Sequence, residues 1–92
     1  MAVITLGEEG AVLVLPERSV HIPGVKVRTV DTTGAGDAFC AALAVALSRG
    51  LDPEKAVIMA NCAGALATTR VGAQEALPTK DELNKFMEGV LS

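Results

Sequence analysis

The chain begins with short apolar runs that are rich in β-branched residues, and longer apolar runs of helix-forming residues follow. Residues 2–6 and 11–15 are two of the short runs, and the Gly-Glu-Glu-Gly turn between them, residues 7–10, predicts a β-hairpin. Residues 19–22 predict a further short strand. Residues 25–30 predict another, because apolar and polar residues alternate there as in a half-buried strand.

Residues typical of helix starts and stops then mark two apolar helices. The first is predicted over residues 35–49 and ends at Gly50, since glycine is common just after a helix. Asp52 and Pro53 are an N-cap and a first-turn proline, and they predict a second helix over residues 53–69.

A third helix is predicted near the end of the chain. The capping box Thr-Lys-Asp-Glu at residues 79–82 opens it. Its apolar residues recur at helical spacing, as Leu83, Phe86, Met87, Val90 and Leu91. The chain has no repeat and no low-complexity linker, so a single α/β segment over residues 1–92 is expected.

The run Asp-Thr-Thr-Gly-Ala-Gly-Asp-Ala-Phe, residues 31–39, lies where the last predicted strand gives way to the first helix. The first amides of a helix have no intrahelical acceptor, and with the helix dipole they favour an anion such as phosphate over Gly34, Ala35 and Gly36. Asp37 is then either a carboxylate that caps the first turn or, beside a bound phosphate, a base that takes the proton of an attacking hydroxyl.

Three motifs of the chain resemble those of the ribokinase-like carbohydrate kinases, the PfkB family. Residues 31–39 resemble the carboxy-terminal signature of that family. Residues 5–10, Thr-Leu-Gly-Glu-Glu-Gly, resemble its nucleotide-contacting turn, and residues 69–74, Thr-Arg-Val-Gly-Ala-Gln, resemble its segment near the monovalent-cation site. The resemblance covers essentially the whole chain but only the last third or so of a typical member. It implies a partial ribokinase-like α/β fold, with residues 1–92 as the carboxy-terminal nucleotide-binding segment.

The resemblance implies an ATP-dependent sugar kinase, which transfers a phosphoryl group from ATP to a carbohydrate hydroxyl with Mg²⁺ as a cofactor. Asp37 would accept the proton of the hydroxyl, and the amides of Gly34, Ala35 and Gly36 would hold the phosphoryl group. Family members bind their sugar and organise Mg²⁺ chiefly upstream of the matched region, so activity is not expected of this segment alone. The alternative is a non-catalytic module, derived from such a kinase, that binds nucleotide or self-assembles.

The resemblance also assigns nucleotide contacts. Thr5, Gly7 and Gly10 would approach the nucleotide, and Asn61 matches a helical position that lines the adenine pocket. Structural alternatives remain open, because hairpin geometry also accounts for the two glycines. A backbone carbonyl could equally satisfy the Asn61 amide, which lies in the otherwise apolar run of residues 56–67.

A monovalent-cation site is implied as well. It would map onto Asp31 and Thr33, backbone carbonyls of Ala67, Arg70 and Gly72, and a last contribution at Ala76, which has no side-chain oxygen. Oxygen-rich sites suit hard cations, and potassium is the candidate. Asp31 could equally close an Asx-turn at the end of the strand.

Composition predicts that part of this chain is covered by another polypeptide. Half of its 92 residues are hydrophobic, more than a chain of this size buries comfortably, so self-association or a missing amino-terminal part is expected. No apolar run approaches the roughly 20 residues that span a bilayer, and no signal peptide opens the chain, so a cytoplasmic protein is expected. The net charge of −3, without a basic cluster, argues against nucleic acid.

The cysteines and the single histidine are assigned structural positions. Cys40 and Cys62 both lie within apolar helical runs and are predicted to be reduced core residues. His21 is predicted to lie on an exposed strand. With one histidine and no Cys-x-x-Cys motif, a zinc site is not expected.

Overall fold

A computed structural model describes residues 1–69 together with Asp81, Leu83, Lys85 and Glu88. Within these residues an antiparallel sheet precedes two helices. The strands are β1 (Ala2–Thr5), β2 (Ala11–Val14) and β3 (Ser19–Ile22), in the order β1-β2-β3, and the helices are α1 (Ala35–Ser48) and α2 (Pro53–Ala67). The predicted hairpin, the third strand and both apolar helices are therefore confirmed.

The inner face of the sheet supplies much of the core. Val3, Leu13 and Val20 are register partners across the sheet, and Leu13 on the central strand is fully buried. Phe39 from α1 and Val57 from α2 pack against this face. The sheet is therefore covered on one side by the helix pair.

A second apolar cluster lies between the helices. The helices lie close together at Gly64, where a Cβ atom would meet the carbonyl oxygen of Ala35 at 3.4 Å, an ordinary van der Waals distance. Ala38 of α1 and Cys62 of α2 belong to this cluster, which also includes Leu83. Burial of Cys62 raises the pKa of its thiol from 9.0 to about 11, so this cysteine is a protonated core residue.

The described residues of the predicted third helix are all helical. Leu83 is buried, whereas Asp81, Lys85 and Glu88 are exposed, as expected of a helix with one apolar face. The other members of the predicted stripe and Thr79 of the capping box lie outside the described residues.

The predicted strand at residues 25–30 is wrong. Val25 and Val27 are half-buried and Lys26 and Arg28 are exposed, so the alternation does report one-sided burial. The segment nevertheless pairs with none of the strands in the described part of the chain. A strand needs a neighbouring strand to complete its hydrogen bonds, and a local sequence pattern does not show whether such a neighbour is present.

The prediction that Cys40 is a core residue is also wrong. Cys40 is exposed, although neither it nor Cys62 forms a disulfide. Helix α1 buries the face that carries Ala38, Phe39 and Ala46, and the apolar Val45 on another face is 45% exposed. When every position of a helical run is apolar, the sequence does not indicate which face of the helix is buried.

The outer face of the sheet is apolar on β1 and β2. Ile4 on β1 is 54% exposed, and its register partner Val12 is half-buried. These exposed apolar side chains are consistent with cover by a further polypeptide. Neither helix in the described ranges has the length and apolar composition needed to cross a bilayer.

Candidate phosphate and nucleotide site

Helix α1 begins without a side-chain cap. Its N-cap residue is Gly34, which has φ 83° and ψ −5°, a left-handed conformation that favours glycine. Helix α2 differs, because the Asp52 carboxylate accepts a hydrogen bond from the Glu54 amide at 3.2 Å. Within the described residues, the first amides of α1 thus have no side-chain acceptor, whereas those of α2 have one.

Two amides at the start of α1 are available to an external acceptor. The Ala35 amide already donates to the carbonyl of Thr32 at 3.2 Å, and the Ala38 amide donates to that of Gly34 at 2.9 Å. Those of Gly36 and Asp37 donate to no acceptor within the described ranges. Of the three amides predicted to hold a phosphoryl group, that of Ala35 is therefore engaged inside the loop.

Asp37 lies beside these amides in the first turn of α1. Its side chain is exposed and makes no hydrogen bond within the described part of the chain. The space around Gly36 is open, since a Cβ atom placed there would meet nothing within 4 Å. The geometry combines donors for an anion, a solvent-accessible carboxylate and room for a ligand.

Asp31 closes an Asx-turn at the start of the same loop. Its Oδ1 accepts a hydrogen bond from the Thr33 amide at 2.9 Å, which is the structural alternative that the sequence left open. The amides of Val30 and Asp31 both donate to the carbonyl of Thr68, at 2.7 and 3.0 Å.

These bonds bring two parts of the predicted cation site together. Asp31 lies at the C-terminal end of α2, because its amide bonds to Thr68, the residue after Ala67, and Thr33 is in turn bonded to Asp31. The other predicted contributors, Arg70, Gly72 and Ala76, lie outside the described residues. Among the residues that the structure describes, no three His, Cys, Asp or Glu side chains are grouped to hold a metal ion.

The turn that joins β1 and β2 is closed by backbone hydrogen bonds. The Leu6 amide donates to the carbonyl of Gly10 at 2.8 Å, and the Gly10 amide donates to that of Gly7 at 3.1 Å. Both glycines have positive φ, 63° at Gly7 and 100° at Gly10. Thr5, the other predicted nucleotide contact, is exposed at the end of β1. The turn requires positive φ at Gly7 and Gly10, which glycine adopts readily. Their nucleotide contacts stay a prediction.

Backbone contact explains Gly10 further. A Cβ atom at Gly10 would lie 2.1 Å from the carbonyl oxygen of Ile22, and one at Gly24 would lie 2.3 Å from that of Glu8. The turn is therefore in close contact with the last residue of β3 and the two residues after it. Sequence reasoning missed this contact of Gly24, because Pro-Gly is a common turn signal and the partner lies far away in the chain.

Asn61 is buried on α2 and bonds to the same segment. Its Nδ2 atom donates to the carbonyl oxygens of Ile22 and Pro23, each at 3.2 Å. These contacts are the backbone alternative for its amide nitrogen.

A cavity of about 420 Å³ lies beside Asn61. Its lining consists of Val20, His21, Ile22, Pro23, Gly24, Val25, Glu54, Ile58 and Asn61. This volume falls within the range of small-molecule pockets. Glu54 at its rim forms an ion pair with Arg18 at 2.6 Å, and both side chains are substantially exposed.

Comparison with known proteins identifies the class to which this fold and helix start belong. Residues 1–80 match the pfkB family carbohydrate kinases. The chain is 44% identical over 90 residues to the aminoimidazole riboside kinase of Salmonella typhimurium, and the match covers 92% of this chain and 28% of the relative. The chain belongs to the pfkB family.

Solved structures of relatives agree with this assignment. The ribokinase of Thermotoga maritima superposes with a TM-score of 0.90 at 45% identity, over 94% of this chain and 29% of that protein. A double mutant of the Vibrio cholerae fructokinase, with fructose, ADP and a potassium ion bound, has a TM-score of 0.84 at 42% identity, over 91% and 29%. The predicted partial ribokinase-like fold is thereby confirmed.

The chain spans less than a third of the length of each of these relatives.

Proposed function

We propose that this chain is the nucleotide-binding and catalytic-base segment of a cytoplasmic ATP-dependent sugar kinase. The observation that carries the proposal is the open start of α1, where the Gly36 and Asp37 amides and the exposed Asp37 carboxylate lie together. The start of α2 differs, since the Asp52 carboxylate caps it. Residues 1–92 would be the carboxy-terminal part of the domain.

Asp37 would act on the acceptor and the helix amides on the donor. The carboxylate would take the proton of the sugar hydroxyl as that oxygen attacks the terminal phosphorus of ATP. The amides at Gly36 and Asp37, with that of Gly34, would stabilise negative charge on the transferring phosphoryl group. A carboxylate next to a phosphate is unfavourable unless it takes part in the chemistry, which is why we assign Asp37 as the base.

The nucleotide would extend from this helix start towards the β1–β2 turn. Thr5, Gly7 and Gly10 would approach it there, and the nucleobase would lie near the open groove beside Asn61. The fructokinase relative binds ADP, which supports a nucleotide role for this family.

The two proposed metal ions fit this chain differently. A potassium site would use Asp31, Thr33 and Ala67, with Arg70, Gly72 and Ala76, and the potassium ion of the fructokinase relative supports it. The described residues contain no acidic cluster suited to Mg²⁺. We propose, from the family resemblance, that the Mg²⁺ ligands and most sugar contacts come from the other part of the domain.

A second candidate function is a self-assembling nucleotide-binding module. The exposed apolar side chains of Ile4 and Val45 favour it, since a second copy of the chain could cover them. Calorimetry with ATP and light scattering separate the two cases. ATP binding by a stable dimer, without turnover, supports the module.

Complementation tests the kinase proposal directly. The chain is mixed with the amino-terminal part of the Thermotoga ribokinase that lacks the matching segment, and an ATP-coupled assay is run over pentoses, hexoses and nucleosides. Activity is expected only in the mixture, and it should disappear with Asp37→Asn. Asp52→Asn is the matched control, because asparagine also caps a helix. Full turnover in the Asp37→Asn mixture would refute the assignment of the base.

A further inference from the structure

The segment Ile22–Gly24 is held between the β1–β2 turn and helix α2. On one side, the missing side chains of Gly10 and Gly24 let the two backbones approach closely, since a Cβ atom at either would lie within 2.4 Å of the other segment. On the other side, Asn61 donates to the carbonyls of Ile22 and Pro23. The last residue of β3 and the two residues after it thus connect two elements that lie far apart in the sequence.

The orientation of the Asn61 amide follows from its partners. Carbonyl oxygens only accept hydrogen bonds, so the nitrogen and not the oxygen must face Ile22 and Pro23. The donors of Asn61 are then committed to the protein backbone. These carbonyls belong to the last residue of β3 and to the residue after it. Because both bond to Asn61 on α2, the position of α2 sets the position of this segment.

His21 makes a second connection to the same turn. Its Nε2 atom lies 2.9 Å from the carbonyl oxygen of Glu9. That oxygen can only accept, so Nε2 must carry the proton. His21 is exposed on β3 and register partner of Val12, on the sheet face away from the helices. The turn is therefore held from both faces of the sheet.

We infer that Asn61 and His21 are positioning residues for the nucleotide turn, Asn61 acting through Ile22–Gly24 and His21 through Glu9. This inference rests on the proposed nucleotide role of the turn at residues 7–10. On this view Asn61 sets where the turn lies instead of reading the nucleobase with its amide nitrogen. Loss of either residue would loosen the turn and weaken nucleotide binding irrespective of the base.

Amide hydrogen exchange tests the positioning without any nucleotide. Asn61→Leu removes the donors at similar volume, and His21→Phe removes the donor on an exposed side chain. Exchange of the Leu6 and Gly10 amides, which close the turn, should become at least about fivefold faster in each variant, because His21→Phe loses one supporting hydrogen bond and Asn61→Leu loses two. Cys62→Ala, a buried change on the same helix, and Ser19→Ala, an exposed change on the same strand, should leave both amides unchanged.

The nitrogen chemical shifts of His21 give a second readout, since they should show the Nε2–H tautomer in the parent chain and in Asn61→Leu. Unchanged exchange at Leu6 and Gly10 in the folded variants would overturn the inference. If Asn61→Leu does not fold, His21→Phe decides, because its side chain is exposed.

Nucleotide binding then distinguishes positioning from base recognition. In each variant, the binding of ATP and the binding of GTP should weaken by the same factor, about fivefold. A loss confined to ATP in Asn61→Leu would show that Asn61 reads the base and would refute the positioning role. If the parent chain binds neither nucleotide, the proposed function fails, whereas the exchange result still decides whether the two residues position the turn.

Discussion

The backbone amide of Asp31 donates a hydrogen bond to the carbonyl oxygen of Thr68 at 3.0 Å. This bond ties the first residue of the loop at 31–39 to the C-terminal end of α2. Because α2 also packs against α1 at Gly64, the loop and the neighbouring ends of the two helices form one unit. The proposed phosphate site and the described part of the proposed cation site therefore share a single support.

Asp37→Asn is expected to strengthen ATP binding while it removes catalysis. The substitution eliminates a negative charge beside the proposed phosphate position, and at contact distance in water that repulsion is about 1 kcal/mol. ATP affinity, measured by calorimetry at low salt, should rise about fivefold, and the gain should shrink with added salt. Weaker ATP binding in the variant would contradict the proposed proximity of Asp37 to the phosphates.

The stability of Asp37→Asn supplies the control for that measurement. Because the Asp37 side chain is exposed and makes no hydrogen bond within the described residues, its free energy of unfolding should change by less than about 0.5 kcal/mol. A larger change would mean that a structural effect contributes to the altered affinity.

Gly10→Ala and Gly7→Ala are expected to differ strongly, although both glycines have positive φ. A Cβ atom at Gly10 would meet the backbone oxygen of Ile22 at 2.1 Å, whereas one at Gly7 would meet nothing within 4 Å. Gly7→Ala should cost about 1 kcal/mol for its left-handed conformation, and Gly10→Ala about 3 kcal/mol or more. Denaturant unfolding of both variants measures the difference. Equal losses would show that the turn and Ile22 are not in close contact.

Local signals in the sequence predicted most elements, because those elements depend on local chemistry. The hairpin follows from two glycines between apolar runs, and α2 from Asp52 followed by Pro53. The strand at residues 25–30 failed because alternation reports burial and not pairing. The bonds from Asn61 to Ile22 and Pro23 join residues 39 and 38 positions apart. A local sequence pattern cannot show whether the Asn61 amide bonds to a distant backbone carbonyl or to a ligand.

Asp52→Ala is expected to destabilise the chain through the loss of a helix cap. The Asp52 carboxylate accepts from the Glu54 amide at the start of α2, and replacement of such a cap by alanine costs about 1 kcal/mol. Thermal unfolding followed by circular dichroism measures the loss. Asp52→Ser, which retains a capping oxygen, should recover most of the stability. If both variants lose the same stability, the charge of Asp52 matters more than its cap.

Cys62 is expected to make the chain less stable at alkaline pH. Burial raises the pKa of its thiol to about 11 in the folded state, from its ordinary value of 9.0. Between these two values the unfolded chain releases the proton and the folded chain keeps it, so stability is fully present below about pH 9 and falls as the pH rises towards 11. The loss should be about 1 to 3 kcal/mol over that interval.

Cys62→Ala isolates this contribution, since the variant keeps every other group that titrates in the same range. Its free energy of unfolding is lower at neutral pH because a cavity is formed, but it should fall less steeply than that of the parent between pH 9 and 11. Thiol labelling gives an independent check, in which the exposed Cys40 reacts in the native state and Cys62 only on unfolding. Parallel stability curves for the two proteins, or rapid native labelling of both cysteines, would show that Cys62 is not buried as described.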